Sequence, residues 1–286
     1  MRYLLVLNPS AGNDHRLLLS RLRSTLGDPG VLVLEDGVDL AREIDAAVDA
    51  DRAVVAVGGD GTISSVAQHL VGRGTLGVVP GGTLNHFCRD LGLRDLDAAI
   101  DALRAAHVRE IDVGRAGDRY FLNNLGMGLY PEIVRERERE EPRLGKWLAA
   151  ATASWRVMRR ARPLVGRISA DGDERALVAW GVFVGNNRFG TGTGRIGARQ
   201  ALDQGVLDVR VLTLGTRKAK RSRLAWRVLR GRPWSPRRLV RTEARQVDVQ
   251  LEEEPRPVSR DGESDDRAAS LRIEVVPRAL RVIGPE

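Results

Sequence analysis

Asp60 sits among glycines in the run Val54-Val-Ala-Val-Gly-Gly-Asp-Gly-Thr62. Gly58, Gly59 and Gly61 let a backbone turn sharply and approach a ligand with no Cβ in the way. The apolar run Val54–Val57 reads as a buried parallel strand, and Ile63–Leu70 reads as a helix. A strand-to-helix junction offers unpaired N–H groups and the positive end of a helix dipole, which suits phosphate. An acid inside an anion site makes sense if a divalent cation bridges Asp60 to the phosphates. No Gly-x-x-x-x-Gly-Lys-Ser/Thr occurs, so this is not a Walker A loop.

A second glycine corner follows in Pro80-Gly-Gly-Thr-Leu-Asn-His-Phe87. Pro80 ends a strand, and Gly81 and Gly82 permit close backbone approach. Thr83 is placed to cap the next helix or reach a phosphate, and Asn85 to bond a ribose or base. Asn8-Pro9-Ser-Ala-Gly12 forms a third corner after the first apolar run. Near the other end, Asp261-Gly262-Glu263 puts two carboxylates in one turn. Such a turn is an ordinary hairpin by itself. Gly192-Thr-Gly-Arg-Ile-Gly197 matches the dinucleotide fingerprint but is followed by a turn rather than a helix, so it reads as a loop. The four histidines show no metal-ligand spacing, and no nucleophile elbow is present.

The elements that must position these corners alternate over the first ~115 residues. Arg2–Leu7, Val31–Glu35, Ala53–Val57 and Thr75–Val79 read as strands; Arg16–Leu26, Leu40–Asp49, Ile63–Leu70 and Arg94–Ala106 read as helices. That rhythm predicts an α/β domain with a parallel sheet, whose ligands bind beyond the carboxyl ends of the strands. Beyond it Arg119–Leu125, Leu164–Ala170, Ala176–Val184, Val206–Leu214, Arg241–Leu251, Leu271–Val276 and Leu280–Ile283 read as strands of a mainly antiparallel sandwich. The expected boundaries are 1–115, with residues 277–286 returning to that domain, and 116–276. Leu144–Arg162 and Arg217–Arg230 read as helices. In the first, Trp147, Ala151, Trp155 and Met158 share a face that either packs on the sheet or meets lipid.

The chain's 286 residues, 42% hydrophobic, suffice for one large or two medium cores. No apolar run approaches the ~18–20 residues that span a bilayer. Cys88 is the only cysteine, which excludes a disulfide framework and a cysteine zinc site and points to a cytoplasmic protein. The net charge of +8 is unevenly spread: residues 217–241 hold eleven Lys or Arg and no acid, and residues 142–170 hold seven. Such runs fit nucleic acid, an anionic membrane face, or plain solvated helix surfaces. No helix-turn-helix or RNA-binding signature supports nucleic acid.

The GGDGT loop resembles the signature shared by diacylglycerol-kinase-type lipid kinases, sphingosine kinases and NAD kinases. With Asn8–Gly12, Pro80–Phe87, Phe121–Gly128, Val184–Asn187, Ala201–Asp208 and Asp261–Glu263, the resemblance to the diacylglycerol kinase family spans nearly the whole chain, nearest its stand-alone bacterial branch. It implies an ATP- and Mg²⁺-dependent lipid kinase, with diacylglycerol as the leading acceptor. A sphingoid base, a polyprenol or NAD stays open as acceptor, as does a non-catalytic binder of the same fold. By the same resemblance Asn8, Pro9, Gly12, Gly58, Gly59, Gly61, Thr62, Gly81, Gly82, Thr83 and Asn85 contact the nucleotide. Asp60 acts on the metal, Asp261 is the general base, and Glu263 lies near metal and phosphates. Two positions depart from the pattern. Ser65 stands where many relatives have glutamate, and Gln204 stands where several bind a structural magnesium through aspartate. A neutral amide is a poor ligand for a hard cation. The basic runs are expected to hold such an enzyme peripherally on anionic membrane from the cytoplasm; the oligomeric state is left open, a homodimer included.

Overall fold

The computed structural model describes residues 1–9, 15–129, 162–190, 199, 201–213 and 239–285, except the side chains of residues 15, 16, 264 and 265. The chain divides into two compact units. One comprises Met1–Val113, Gly197–Gly205 and Val276–Glu286; the other comprises Gly114–Ile196 and Val206–Val275.

In the first unit the strands are β1 (Arg2–Leu7), β2 (Gly30–Val33), β3 (Arg52–Gly58) and β4 (Thr75–Pro80). All pair in parallel, in the order β4-β3-β1-β2. Their apolar runs are buried from end to end in β3 because helices cover the sheet. The helices are α1 (His15–Leu26), α2 (Leu40–Asp49), α3 (Asp60–Gln68), the one-turn α4 (His86–Asp90) and α5 (Leu96–Ala105). Asp39 and Asp95 cap α2 and α5, each accepting a hydrogen bond from the backbone three residues on. α3 begins at Asp60, not at Ile63, so the GGDGT loop is partly the first turn of the helix.

In the second unit the strands are antiparallel. β6 (Arg119–Phe121), β7 (Asn124–Gly128), β8 (Leu164–Ala170), β9 (Asp173–Asn186), β10 (Leu207–Thr213), β11 (Leu239–Ala244), β12 (Gln246–Leu251), β13 (Arg256–Arg260) and β14 (Glu263–Ala268) lie within it. The long β9 pairs with β8 by its first half and with β7 by its second, and with β10 on its other side. Phe121, Leu125, Val184, Val209, Val247, Val258 and Ile273 belong to its buried core.

Two strands run through the divisions. β5 (Val108–Ala116) crosses the first boundary, and β15 (Ser270–Ile283) crosses the last. β15 pairs antiparallel with β12 through Ser270–Glu274 and parallel with β4 at Arg281 and Val282. The two apolar stretches expected as separate strands here are one strand. Conversely, Arg119–Leu125 and Arg241–Leu251 each divide in two, and β5, β13 and β14 were not expected. The proposed helices Leu144–Arg162 and Arg217–Arg230 and the loop Gly192–Gly197 lie outside the described residues, apart from Arg162.

Candidate active site

The glycine corners of the first unit are bound to one another. The Gly81 N–H donates to the Gly58 carbonyl at 2.8 Å. A Cβ on Gly82 would meet the Gly59 Cα at 2.6 Å, so the two backbones touch where only glycine fits. Asp60 accepts from the His86 N–H at Oδ2 and from the Phe87 N–H at Oδ1, both at 3.0 Å. It therefore supplies the cap for α4, using an acid where the helix dipole favours one. Thr83, expected to cap that helix, is exposed; the donor groups are taken by Asp60 from 26 residues away. Asn85 adopts a left-handed conformation (φ +46°), which asparagine tolerates. Its side chain accepts from the Gly82 N–H and donates to the Gly82 carbonyl, closing the loop on itself.

The first corner joins the same assembly. Asn8 donates from Nδ2 to the Thr62 hydroxyl at 2.9 Å, and its backbone N–H donates to the Val57 carbonyl. Thr62 is buried, so it acts as a strut of the loop. Pro9 is exposed beside it, whereas Gly12 lies outside the described residues. Next to the Pro80–Asn85 loop lies a pocket of about 380 Å³, lined by Leu17, Arg21, Gly81, Gly82, Asn85 and Arg94 among others. That volume is in the range of small-molecule sites; Asp95 lines it as well, and Arg21 is paired with Asp97.

Within α4, the Cys88 thiol is fully buried, and its pKa is pushed up to about 12 by burial first and the charge of Asp60 second. Asp112 is also buried; it accepts from the Gly205 N–H at 2.6 Å and the Arg278 N–H at 2.9 Å, where Arg278 has φ +49°. Arg199 and Asp90 form a buried ion pair at 2.7 Å. Neither group had been singled out from sequence.

In the second unit Asp261 and Gly262 both have positive φ (+49° and +94°), the signature of a two-residue type I′ hairpin between β13 and β14. The Asp261 carboxylate turns back toward the start of β7. Oδ2 accepts from the Leu122 N–H at 2.8 Å; Oδ1 accepts from the Asn123 and Asn124 N–H groups at 2.7 and 3.1 Å. Its own N–H donates to the Asn124 carbonyl. Glu263 is exposed at the start of β14. Asn123, Asn186 and Asn187 are buried around this turn. Their sequence signal was two Asn-Asn pairs at strand ends, which carried no assigned role. Among the described residues, no group of three or more His, Cys, Asp or Glu could by itself hold a metal ion.

A parallel α/β unit with phosphate-type glycine corners and an antiparallel sandwich unit carrying a held carboxylate together define an NAD kinase-like two-unit fold. Residues 2–116 match the diacylglycerol kinase catalytic domain, and residues 133–284 match the YegS C-terminal NAD kinase beta sandwich-like domain. The chain is 29% identical over 296 residues to a Pseudomonas aeruginosa protein named "Probable lipid kinase YegS-like", covering 98% of this chain and 93% of that one. It is 29% identical over 207 residues to the diacylglycerol kinase of Bacillus subtilis, covering 70% of this chain and 67% of that one. A diacylglycerol kinase structure from Bacillus anthracis superposes with a TM-score of 0.74 at 25% identity, covering 99% and 97% of the two chains. An Archaeoglobus fulgidus NAD kinase shares the fold at a TM-score of 0.58 and 15% identity, over 100% and 94%. The chain belongs to the diacylglycerol kinase and YegS-like lipid kinase family, and it is a kinase.

Proposed function

We propose that the chain transfers the γ-phosphoryl group of ATP to the hydroxyl of a lipid, with diacylglycerol giving phosphatidate as the leading case. One observation carries this reading. The Gly58–Thr62 and Gly81–Asn85 corners are fixed against each other by Asp60 and by glycine contact, so their backbone groups are organised in advance for a polyphosphate. Asn8, Pro9, Gly12, Gly58, Gly59, Gly61, Thr62, Gly81, Gly82, Thr83 and Asn85 are the assigned nucleotide residues. Several act by bracing the loop rather than by touching the ligand.

Magnesium would arrive with the phosphates, since Mg²⁺ takes only one or two protein carboxylates in kinase sites. Each oxygen of Asp60 accepts one backbone N–H, and an ionised carboxylate has about four acceptor positions, so its donor set fits such a contact. Glu263 is the second candidate. Bound there, the ion would neutralise charge on the β- and γ-phosphate oxygens. Asp261 is the assigned general base. It takes the proton as the acceptor oxygen bonds to the γ-phosphorus and ADP leaves. The lipid acceptor is drawn from an anionic membrane face that the basic runs would hold; among the described residues no helix is long and apolar enough to cross a membrane.

The test is a screen of acceptors in mixed micelles with labelled ATP, read by product mass. Transfer to diacylglycerol, lost in Asp261→Ala and kept in Arg230→Ala, supports the reading. Transfer to a different alcohol alone changes the acceptor. Absence of transfer to every lipid overturns the reading in favour of a binding protein.

A further inference from the structure

The hold on Asp261 has a second layer. All peptide bonds among the described residues are trans, so the C=O and N–H of each peptide group point in opposite directions in one plane. The peptide joining Leu122 to Asn123 donates its N–H to Asp261 Oδ1; on the opposite side, its carbonyl accepts from Asn186 Nδ2 at 3.0 Å. The next peptide, joining Asn123 to Asn124, repeats this. Its N–H donates to Asp261 Oδ1, and its carbonyl accepts from the Asn186 backbone N–H at 2.9 Å. Asn186 and Asp261 thus grip two consecutive peptide planes from opposite sides. Hydrogen bonding at a carbonyl polarises its peptide and strengthens the N–H donor at the other end. Asn186 is 1% exposed, and its Oδ1 accepts from Asn187 Nδ2 at 3.4 Å.

We propose that Asn186 is a positioning residue for Asp261, acting through the peptide groups at Leu122–Asn124. The proposal rests on the assignment of Asp261 as general base. The side chain of Asn186 holds only the first of the two planes, and its backbone holds the second. Replacing the side chain therefore weakens the Asn123 N–H donor through its peptide group, with its bond to Asp261 still in place, and leaves the Asn124 N–H as an internal reference.

The test uses Asn186→Leu and Asn186→Ala. The second removes the donor without adding bulk, which covers the case in which the first fails to fold. Melting temperature and ADP binding check that each variant is folded. Amide hydrogen exchange is read by NMR. The expected result is that the Asn123 amide exchanges faster, by several-fold, as its peptide loses the bond at the Leu122 carbonyl, while Asn124 changes less. With ATP and dioctanoylglycerol micelles, kcat is expected to fall about tenfold with KM for ATP unchanged. Added to Asp261→Asn, the same change is expected to cost less than about twofold, because both act on one group. Unchanged exchange at Asn123, or full additivity with Asp261→Asn, overturns the proposal. If Asp261→Asn keeps full turnover, or no acceptor is phosphorylated, the assignment of the base fails separately, and the exchange result alone decides whether Asn186 positions the carboxylate.

Discussion

Asp60 and Asp261 each gather backbone N–H groups, two in one case and three in the other. Removing such an acceptor leaves each donor to be satisfied elsewhere, at about 1–3 kcal/mol per buried group. Asp261→Asn keeps the shape of the side chain but weakens it as a base. It is expected to lower kcat by roughly 10²–10⁴-fold while nucleotide affinity stays within twofold or so, measured by steady-state kinetics and ADP titration. Cys88 supplies a pH prediction. Its folded pKa is raised, so its contribution is fully present below the unfolded thiol value and is lost as pH climbs toward about 12. With an unfolded value near ~8.5, the folded state loses about 2 kcal/mol by roughly pH 10. Cys88→Ala should remove that part of the alkaline slope; thermal melts of both proteins at about pH 8 and about pH 10 check it. Parallel slopes would refute the cause assigned.

At the scale of elements, the contact between the two glycine corners predicts unequal effects of equal changes. A Cβ at Gly82 would lie 2.6 Å from backbone, while one at Gly59 would lie 3.4 Å from it. Gly82→Ala should therefore part α4's loop from the start of α3 and weaken ATP binding well beyond Gly59→Ala, as titration calorimetry would read. In the sandwich, Asp208 is fully buried between Arg210 and Arg241, at 2.7 and 2.8 Å. Asp208→Asn leaves two guanidinium groups without their charge partner and should cost about 3–5 kcal/mol in denaturant unfolding. The parallel strands were legible because strands buried on both faces are continuous apolar runs. β5, β13 and β14 were not, because charged and small polar residues break their apolar runs: Arg256-Pro-Val-Ser-Arg260 has one hydrophobic residue besides its proline, although its three central residues are buried. The corners were legible from glycines and Asp60. What they do to each other was not, since α4's cap and the grip of Asn186 on Leu122 come from pairings 26 and 64 residues apart.

At the scale of the molecule, the +8 charge and its clustering predict attachment to anionic vesicles that salt reverses. Vesicle sedimentation at rising ionic strength reads this, and attachment indifferent to salt would count against it. A different whole-chain property follows from β15. The partners of β4 include residues 281 and 282, which emerge from a ribosome some two hundred residues after β4 itself. Until then the apolar rim of Thr75–Pro80 has no strand beside it on that side, and Asp112 lacks the Arg278 N–H. The first unit to be translated is therefore among the last to be finished. A polypeptide cut after residue 116 should be sticky and poorly protected from protease, and should regain solubility when the segment from 270 onward is supplied in trans.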